Sequence, residues 1–360
     1  MRIIQIIQRP QARGAEIFAS QLSTALENLG HQVLMISLFE GDYELPFEGK
    51  QIHLQLSLGS RLWNVASWIK LGKIIQDFKP EIVQANGADT LKFSVFARKF
   101  HQVQYQLIFN NGGVVSYYLN STLKKKFNQY LFNQVDALIS VSNYSKEDLD
   151  NFISNPKWHQ VIPIGIESHD RPKVRTTSFQ ILVHLAGFTP EKNHEAVLRI
   201  FEGFLLKHPK SQLWLMGDGP ERRKIEELVS KSSFSEKVRF FGAISNPFSL
   251  IPSNSIVILP SKIEGLPAVI LEAFHSKIAV IAYQVGGIPD LLIPDQTGSL
   301  VPAADESGFV EALEKYMQSS SADKQRLKEN AFQLVQHNYS IVEVAKKFER
   351  YYLSLCASSN

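Results

Sequence analysis

The first half of the chain alternates short apolar runs with stretches of helical period. "RIIQII" is followed by "AEIFASQLSTALENLG", "HQVLMISL", "QIHLQLSL", "NVASWIKLGKIIQDF", "EIVQAN", "TLKFSVFARKF", "YQLIFNN", "STLKKKFNQYLFNQ" and "DALISVS". Apolar runs of about four to eight residues, separated by helices of about ten or more, predict parallel strands joined by crossover helices. The second half repeats the rhythm from Ser178 onward: "ILVHLAG", "HEAVLRIFEGFLLKH", "QLWLMGDG", "ERRKIEELVSK", "VRFFGAI", "SIVILPS", "AVILEAFHS", "AVIAYQVGG" and "SLVPA". Between the halves lies "ESHDRPKVRTTS", polar, proline-containing and without period, which reads as an interdomain linker. The pattern therefore predicts an α/β chain of two doubly wound, Rossmann-like domains, 1–166 and 178–340, facing a shared cleft. The closing segment "IVEVAKKFERYYLSL" is amphipathic and follows a second domain already complete. As a helix over about 341–357 it is expected to pack back on the first domain.

Length and composition agree with that layout. A chain of 360 residues suits two domains, each with its own core, and 44% hydrophobic with 20% charged residues excludes disordered, collagenous and coiled-coil classes. One cysteine, Cys356, excludes an intramolecular disulfide framework and a cysteine-based metal cluster. The "IIQII" between Arg2 and Arg9 is too short for a secretory signal, and no apolar run approaches a membrane span. A cytoplasmic protein is expected.

In an open α/β sheet, ligands bind beyond the carboxyl ends of the strands, so chemistry is sought in the strand-to-helix loops. Four such loops hold unusual residues: "QRPQARGAE" with Gly14, "AGFTPEKNH" with Lys192, "MGDGPE" with Gly219, and "SKIEGLPAVILE" with Glu264 and Glu272. A loop that opens onto a helix offers unpaired N–H groups and the positive end of a dipole, which suits a phosphate. Pro267 fits a first helical position, leaving the N–H groups of Gly265, Leu266 and Ala268 free for an anion. Glu264 and Glu272 flank that anion, and carboxylates accept hydrogen bonds from hydroxyls. An anion bracketed by hydroxyl-bearing groups describes a nucleotide sugar.

The chain resembles the retaining glycosyltransferases of family 4, with the GT-B fold, over nearly its whole length. The resemblance rests on the E-x7-E of Glu264 and Glu272 within "LPSKIEGLPAVILEAF", on "AVIAYQVGGIPDLL", "TPEKN", "LWLMGDGPER" and "VRFFG", and on an N-terminal "GAE" followed by "LGHQV". It implies that Glu272 binds the ribose, Glu264 the donor sugar, and the amides of Gly265 and Leu266 the phosphates. Gly219 would belong to the donor site. Lys192 would neutralise the leaving diphosphate, and Gly14 would let the first domain's backbone approach it on closure. The same resemblance implies transfer with retention, no required metal and no enzymic nucleophile. The substrates would be a UDP- or GDP-sugar donor and a carbohydrate or lipid-linked acceptor chosen by the first domain, in surface polysaccharide or lipopolysaccharide synthesis.

Two positions depart from the family. Gly187 stands five residues before Lys192, where relatives often carry arginine, and Asn110 and Asn111 stand where relatives often carry histidine. Either asparagine can still contact a sugar hydroxyl or the acceptor. Two rivals stay open: an epimerase or phosphorylase of the same fold acting on nucleotide sugars, and, as these departures allow, a catalytically silent nucleotide-sugar-binding module.

The remaining motifs read as structural. Asp148 and Asp150 spell D-x-D but lie in a polar helix start. His184, His194 and His275 sit singly on strand or helix patterns, and Arg222 replaces the third glycine of a dinucleotide fingerprint, so no metal site and no cofactor are expected. The net charge is only +3, yet from Arg61 to Lys126 ten basic residues face three acidic ones. Within that window Trp63 and Trp68 accompany Lys70 and Lys73, and "LKKKF" follows, a combination that predicts peripheral contact with an anionic membrane at the inner face of the cell membrane. No nucleic-acid module is recognisable.

Overall fold

The computed structural model describes residues 1–11, 13–61, 64–101, 103–154, 158–167 and 176–358. Its chain divides into two compact units, Met1–Glu167 with Tyr339–Asn360, and Ser168–Asn338. Most of the linker read from the sequence lies outside the described residues.

In the first unit seven parallel strands, β1 (Arg2–Ile7), β2 (Gln32–Phe39), β3 (Lys50–Leu56), β4 (Ile82–Asn86), β5 (Gln106–Asn111), β6 (Ala137–Ser140) and β7 (Trp158–Val161), are ordered β3-β2-β1-β4-β5-β6-β7. The helices are α1 (Gly14–Asn28), α2 (Val65–Phe78), α3 (Ala88–Arg98), α4 (Val115–Tyr118), α5 (Thr122–Phe132) and α6 (Asn143–Asp150). Strand β7 has no apolar run of its own, because its half-exposed "WHQV" covers only one edge of the sheet. The second unit holds β8 (Ile181–Leu185), β9 (Gln212–Met216), β10 (Val238–Gly242), β11 (Ile256–Leu259), β12 (Ala279–Tyr283) and β13 (Ser299–Val301), ordered β10-β9-β8-β11-β12-β13 and also parallel. Its helices are α7 (His194–Leu205), α8 (Arg222–Ser230), α9 (Ala268–His275), α10 (Glu306–Gln318) and α11 (Ser321–Asn338).

The central strands bury both faces: Ile3, Ile4, Ile6 and Ile7 in β1 and Ile256, Val257, Ile258 and Leu259 in β11 are all inaccessible to solvent. Each such side chain contributes roughly 1.5–3 kcal/mol of transfer free energy. Helix α12 (Ile341–Ala357) buries Ile341, Val344, Ala345, Phe348, Tyr351, Tyr352 and Leu355, one continuous stripe of a 3.6-residue period. That stripe joins the core of the first unit, with Phe348 against Phe18 of α1 at 5.9 Å. The Tyr351 hydroxyl pins the helix to the sheet by donating to the carbonyls of Leu138 (3.1 Å) and Trp158 (2.6 Å). No helix among the described residues is long and apolar enough to cross a membrane.

Helix starts differ in a way that bears on function. Asn64, Ser121, Ser142, Asp305 and Ser340 cap α2, α5, α6, α10 and α12 with a side-chain acceptor. The helices that follow β1, β4, β8 and β11 have no such cap, so their first N–H groups stay open. In both units these four helices leave the strands beside the point where the winding order reverses.

Candidate active site

In the second unit the loop from β8 to α7 is stitched to the loop from β11 to α9. Lys262 N–H donates to the Glu191 carbonyl (2.8 Å), and Asn193 Nδ2 donates to the Pro260 carbonyl (2.9 Å). The short turn Pro190–Lys192 ends at Asn193, whose left-handed backbone (φ 58°) redirects the chain into α7. That turn delivers Lys192 Nζ to both carboxylate oxygens of Glu264, at 2.7 and 2.8 Å. Glu264 is 6% exposed, so this is a largely desolvated, doubly bonded ion pair.

Lys192 and Glu264, expected to act on different parts of a donor, are thus partners of each other. The pairing leaves capacity on both sides. An ammonium has three donors, of which two are used, and a carboxylate accepts about four hydrogen bonds, of which two are filled. One N–H of Lys192 and the outer lone pairs of Glu264 remain for a ligand.

Glycine holds Glu264 from behind. Gly286, in the loop after β12, has φ 54°, and a Cβ there would lie 1.7 Å from the Glu264 carbonyl oxygen. Gly287 N–H donates to that same oxygen at 3.3 Å. The "VGG" run is legible in sequence, but its contact with a residue more than twenty positions earlier is not. Gly217 and Gly219 play an equivalent part in the loop after β9: added Cβ atoms would lie 2.0 Å from the Ala186 carbonyl oxygen and 2.6 Å from that of Phe188. Gly219 N–H donates to Asp218 Oδ1 (2.7 Å), so its role in the free protein is close packing of the two loops.

The segment after Glu264 reaches α9 one residue later than expected. Pro267 has extended geometry and is the residue before the helix, with its carbonyl accepting from Ile270 N–H at 3.1 Å, and Ala268 is the first helical residue. Among the described residues no carbonyl accepts from the N–H groups of Gly265, Leu266 or Ala268, which makes them donors for an anion. Glu272 follows on α9, half-buried. Desolvation pushes its carboxyl up to about 7, with no hydrogen bond or charge to offset it. Burial thus favours its protonated form up to about neutrality.

Beneath this assembly lie His184 and His194, both buried, with rings 4.6 Å apart and His194 stacked on Phe188 at 4.0 Å. Burial lowers the His184 ring to about 4 and drives His194 far below the usual imidazole range, so both remain neutral beside Lys192. His275 is also buried and bonds Gln336. All three are packing residues. A Cβ added at Gly187 would lie 3.7 Å from the Asp218 carbonyl oxygen, an ordinary contact.

In the first unit the two asparagines separate. Asn111 is committed internally, its amide donating to the Ser145 carbonyl (3.3 Å) and its Oδ1 accepting from Gly113 N–H (3.3 Å). Asn110 donates to Asn86 Oδ1 (2.9 Å), while its buried Oδ1 has no hydrogen-bond partner. Gly14 opens α1 with nothing within 4 Å of a would-be Cβ. Asp148 holds the start of α4 through Ser116 N–H (3.0 Å), and Asp150 bonds His159 (2.6 Å) and Lys146 (2.5 Å). Among the described residues no cluster of His, Cys, Asp or Glu could hold a metal ion.

The basic face needs one correction. Trp68 is buried and stacks on Phe96 at 4.4 Å, because its place on α2 belongs to the core stripe with Leu71 and Ile75. Trp63 lies outside the described residues. The exposed members are Lys70 and Lys73 on α2, Tyr117 and Tyr118 on α4, and Leu123 with Lys124, Lys125 and Lys126 on α5.

Two parallel, doubly wound sheets, each carrying its ligand-facing loops at the carboxyl ends of the strands, define the GT-B class. Two family models divide the chain between them: Glycosyltransferase Family 4 matches residues 12–169 and Glycosyl transferases group 1 matches 166–334. The chain belongs to the family 4 glycosyltransferases. It is 23% identical to the gpi3 subunit of phosphatidylinositol N-acetylglucosaminyltransferase from Schizosaccharomyces pombe, over 98% of this chain and 80% of that one. Among solved structures it resembles sucrose-phosphate synthase from Thermosynechococcus elongatus, with a TM-score of 0.82, 21% identity and 99% of both chains covered. It also resembles Anabaena HepE in complex with UDP and glucose, with a TM-score of 0.81, 16% identity, and 98% of this chain and 99% of that one covered.

Proposed function

We propose that this glycosyltransferase moves a hexose, with retention, from a UDP- or GDP-sugar to a carbohydrate or lipid-linked acceptor in surface polysaccharide synthesis. The observation that carries the reading is the combination in one unit of the Lys192–Glu264 pair, the open amides of Gly265, Leu266 and Ala268, and the unpartnered carboxyl of Glu272. The amides and the spare N–H of Lys192 face the diphosphate, Glu264 accepts from sugar hydroxyls, and Glu272 accepts from the ribose diol.

In the transfer, the acceptor oxygen bonds the anomeric carbon as the bond from that carbon to the diphosphate oxygen breaks. The bonding pair leaves on the diphosphate, and the acceptor proton passes to a phosphate oxygen on the same face. Negative charge grows on the leaving group, and Lys192 with the amides meets it without a required metal. Such preorganised donors are usually the largest catalytic contribution.

Membrane contact belongs to the same reading, because a lipid-linked acceptor sits at a bilayer. Leu123 is 80% and Tyr118 61% exposed, beside three consecutive lysines, which is the chemistry of a helix resting on anionic lipid. The protein would then work at the inner face of the cell membrane.

The test is incubation with UDP- and GDP-hexoses plus an acceptor panel of simple glycosides and isoprenoid-phosphate-linked sugars, followed by proton NMR of the product. An anomeric configuration matching the donor is expected. An inverted product would refute retention, and conversion of the donor sugar without acceptor would identify an epimerase instead.

A further inference from the structure

Helix α12 and the edge strand β7 enclose a cavity of about 280 Å³ in the first unit, lined by Gln160, Lys347, Arg350, Tyr351 and Ser354. No residue of the donor reading lines it. In the register of the sheet Gln160 stands opposite Ile139 of β6, which packs in the core beneath α12. Alternation along β7 therefore turns Gln160 towards that helix and His159 to the other face. The apolar cover of this face thus ends, at the sheet's edge, on an exposed amide.

The helix supplies the charge. Lys347, Arg350 and Ser354 follow one another at intervals of three and four residues, so they share one flank of α12 beside its buried stripe. No carboxylate lines the cavity among the described residues. Of the acidic residues on α12, Glu343, one turn before Lys347, is bound to Lys346 at 2.7 Å, and Glu349 is bound to His31 at 2.9 Å. Arg350 is exposed and makes no hydrogen bond or ion pair among the described residues. Lys347 is half-buried; burial first, and then the charge of Arg350, lowers its hold on a proton, which Glu343 restores only in part. Ser354 Oγ donates to the Tyr351 carbonyl (2.7 Å), and the Tyr351 hydroxyl donates to carbonyls of the sheet, so neither hydroxyl is a free donor.

The donors of the cavity are therefore a guanidinium, an ammonium and an amide. A phosphate monoester carries about −1.5 to −2 charge near pH 7 and three acceptor oxygens, which matches two cations. A guanidinium meets two such oxygens in parallel, and an ammonium meets the third as a point charge. A single carboxylate would balance only one of the two cations.

We propose that this cavity binds a phosphate group through Arg350, Lys347 and the Gln160 amide, as a site separate from the donor loops. The group belongs either to a phosphorylated small molecule or to a phospholipid headgroup, and the inference stands whether or not the donor reading holds.

The test uses the full chain with inorganic phosphate and glucose 6-phosphate at constant ionic strength, read by calorimetric titration and phosphorus NMR line width. Saturable binding is expected, weakened about 10-fold by Arg350→Gln or Lys347→Gln, the scale of one hydrogen bond to a charged group. Arg350 is exposed and unbonded, so its variant probes the site without disturbing the fold, which an unchanged melting temperature would report. Lys346→Gln removes the same charge from the same helix and should leave the affinity unchanged, as should Lys192→Ala in the second unit. Co-sedimentation with phosphatidylglycerol vesicles separates the sources. Its loss in Arg350→Gln assigns a headgroup, whereas unchanged sedimentation with soluble phosphate binding lost assigns a free phosphorylated ligand. Phosphate and vesicle binding both absent or both indifferent to Arg350→Gln, or an equal loss in Lys346→Gln, overturns the proposal.

Discussion

Numbered from their own first strands, both sheets wind 3-2-1-4-5-6, and the first adds one more strand at its edge. Their reversal points are nevertheless built from different chemistry. In the second unit a lysine and a glutamate are bound to each other and locked by Gly286, beside open amides. In the first, the carboxylates of Glu16 and Asp89 hold glutamine amides around an open cavity. One reversal point thus presents open amides beside a paired lysine, and the other presents carboxylates engaged with amides and, at Asp89, with Lys92 at 3.4 Å. The shared fold supplies two equivalent positions, and the loop residues decide what each binds.

The sharpest way to break the comparison is to remove the cation. Lys192→Ala is expected to lower transfer about 100-fold, the scale of losing one charge-stabilising donor. It also leaves the Glu264 carboxylate, 6% exposed, without its partner, so the melting temperature should fall as well. Near-normal kcat by a steady-state transfer assay would show that the diphosphate charge is met elsewhere.

Gly286→Ala comes next. A Cβ 1.7 Å from the Glu264 carbonyl cannot be accommodated without moving that backbone, and φ 54° adds about 1–2 kcal/mol of strain. Transfer should drop about 10-fold or more, with KM for the donor rising, because the proposed function has Glu264 contact the donor sugar. An unchanged KM would mean that Glu264 does not touch the sugar.

Glu272→Gln sharpens the account through pH. In the free protein burial raises this carboxyl to about 7, so the folded state holds its proton more tightly than the unfolded chain. Stability is therefore lost as pH rises from the ordinary carboxylate range through about 7. Ribose hydroxyls donate to the ionised form, so nucleotide binding expels that proton and should strengthen between pH 6 and pH 8. Glutamine should abolish this share of the pH dependence in calorimetric titrations of wild type and variant in the same buffers. It should also raise the melting temperature of the free protein at pH 8 but not at pH 5.

The smallest effect is at the membrane face. Replacing Lys124, Lys125 and Lys126 with glutamine removes roughly 1 kcal/mol of attraction each from an anionic surface. Co-sedimentation with phosphatidylglycerol vesicles should fall while transfer to a soluble acceptor persists, and unchanged sedimentation would discard this patch.

Much of this was legible in the sequence because parallel strands buried on both faces announce themselves as continuous apolar runs. Strand β7, with its half-exposed "WHQV", gives no such run and is apparent only as a partner of β6. Trp68 was misleading because the same helical spacing that places it near lysines also places it in the core stripe of α2. The Lys192–Glu264 pair joins residues 72 positions apart, and neither residue's local pattern encodes the other. Spacing singled out Glu272 as a candidate but not its raised affinity for a proton, which depends on atoms packed around it from elsewhere in the unit.

The most direct measurement is a thermal-shift titration of the full chain with UDP, GDP, ADP and CMP. A diphosphate at about 100 times its dissociation constant adds roughly 2.7 kcal/mol to the folded state. The account predicts stabilisation by UDP or GDP, lost in Lys192→Ala. Absence of a shift with every nucleotide would contradict a donor site in the second unit.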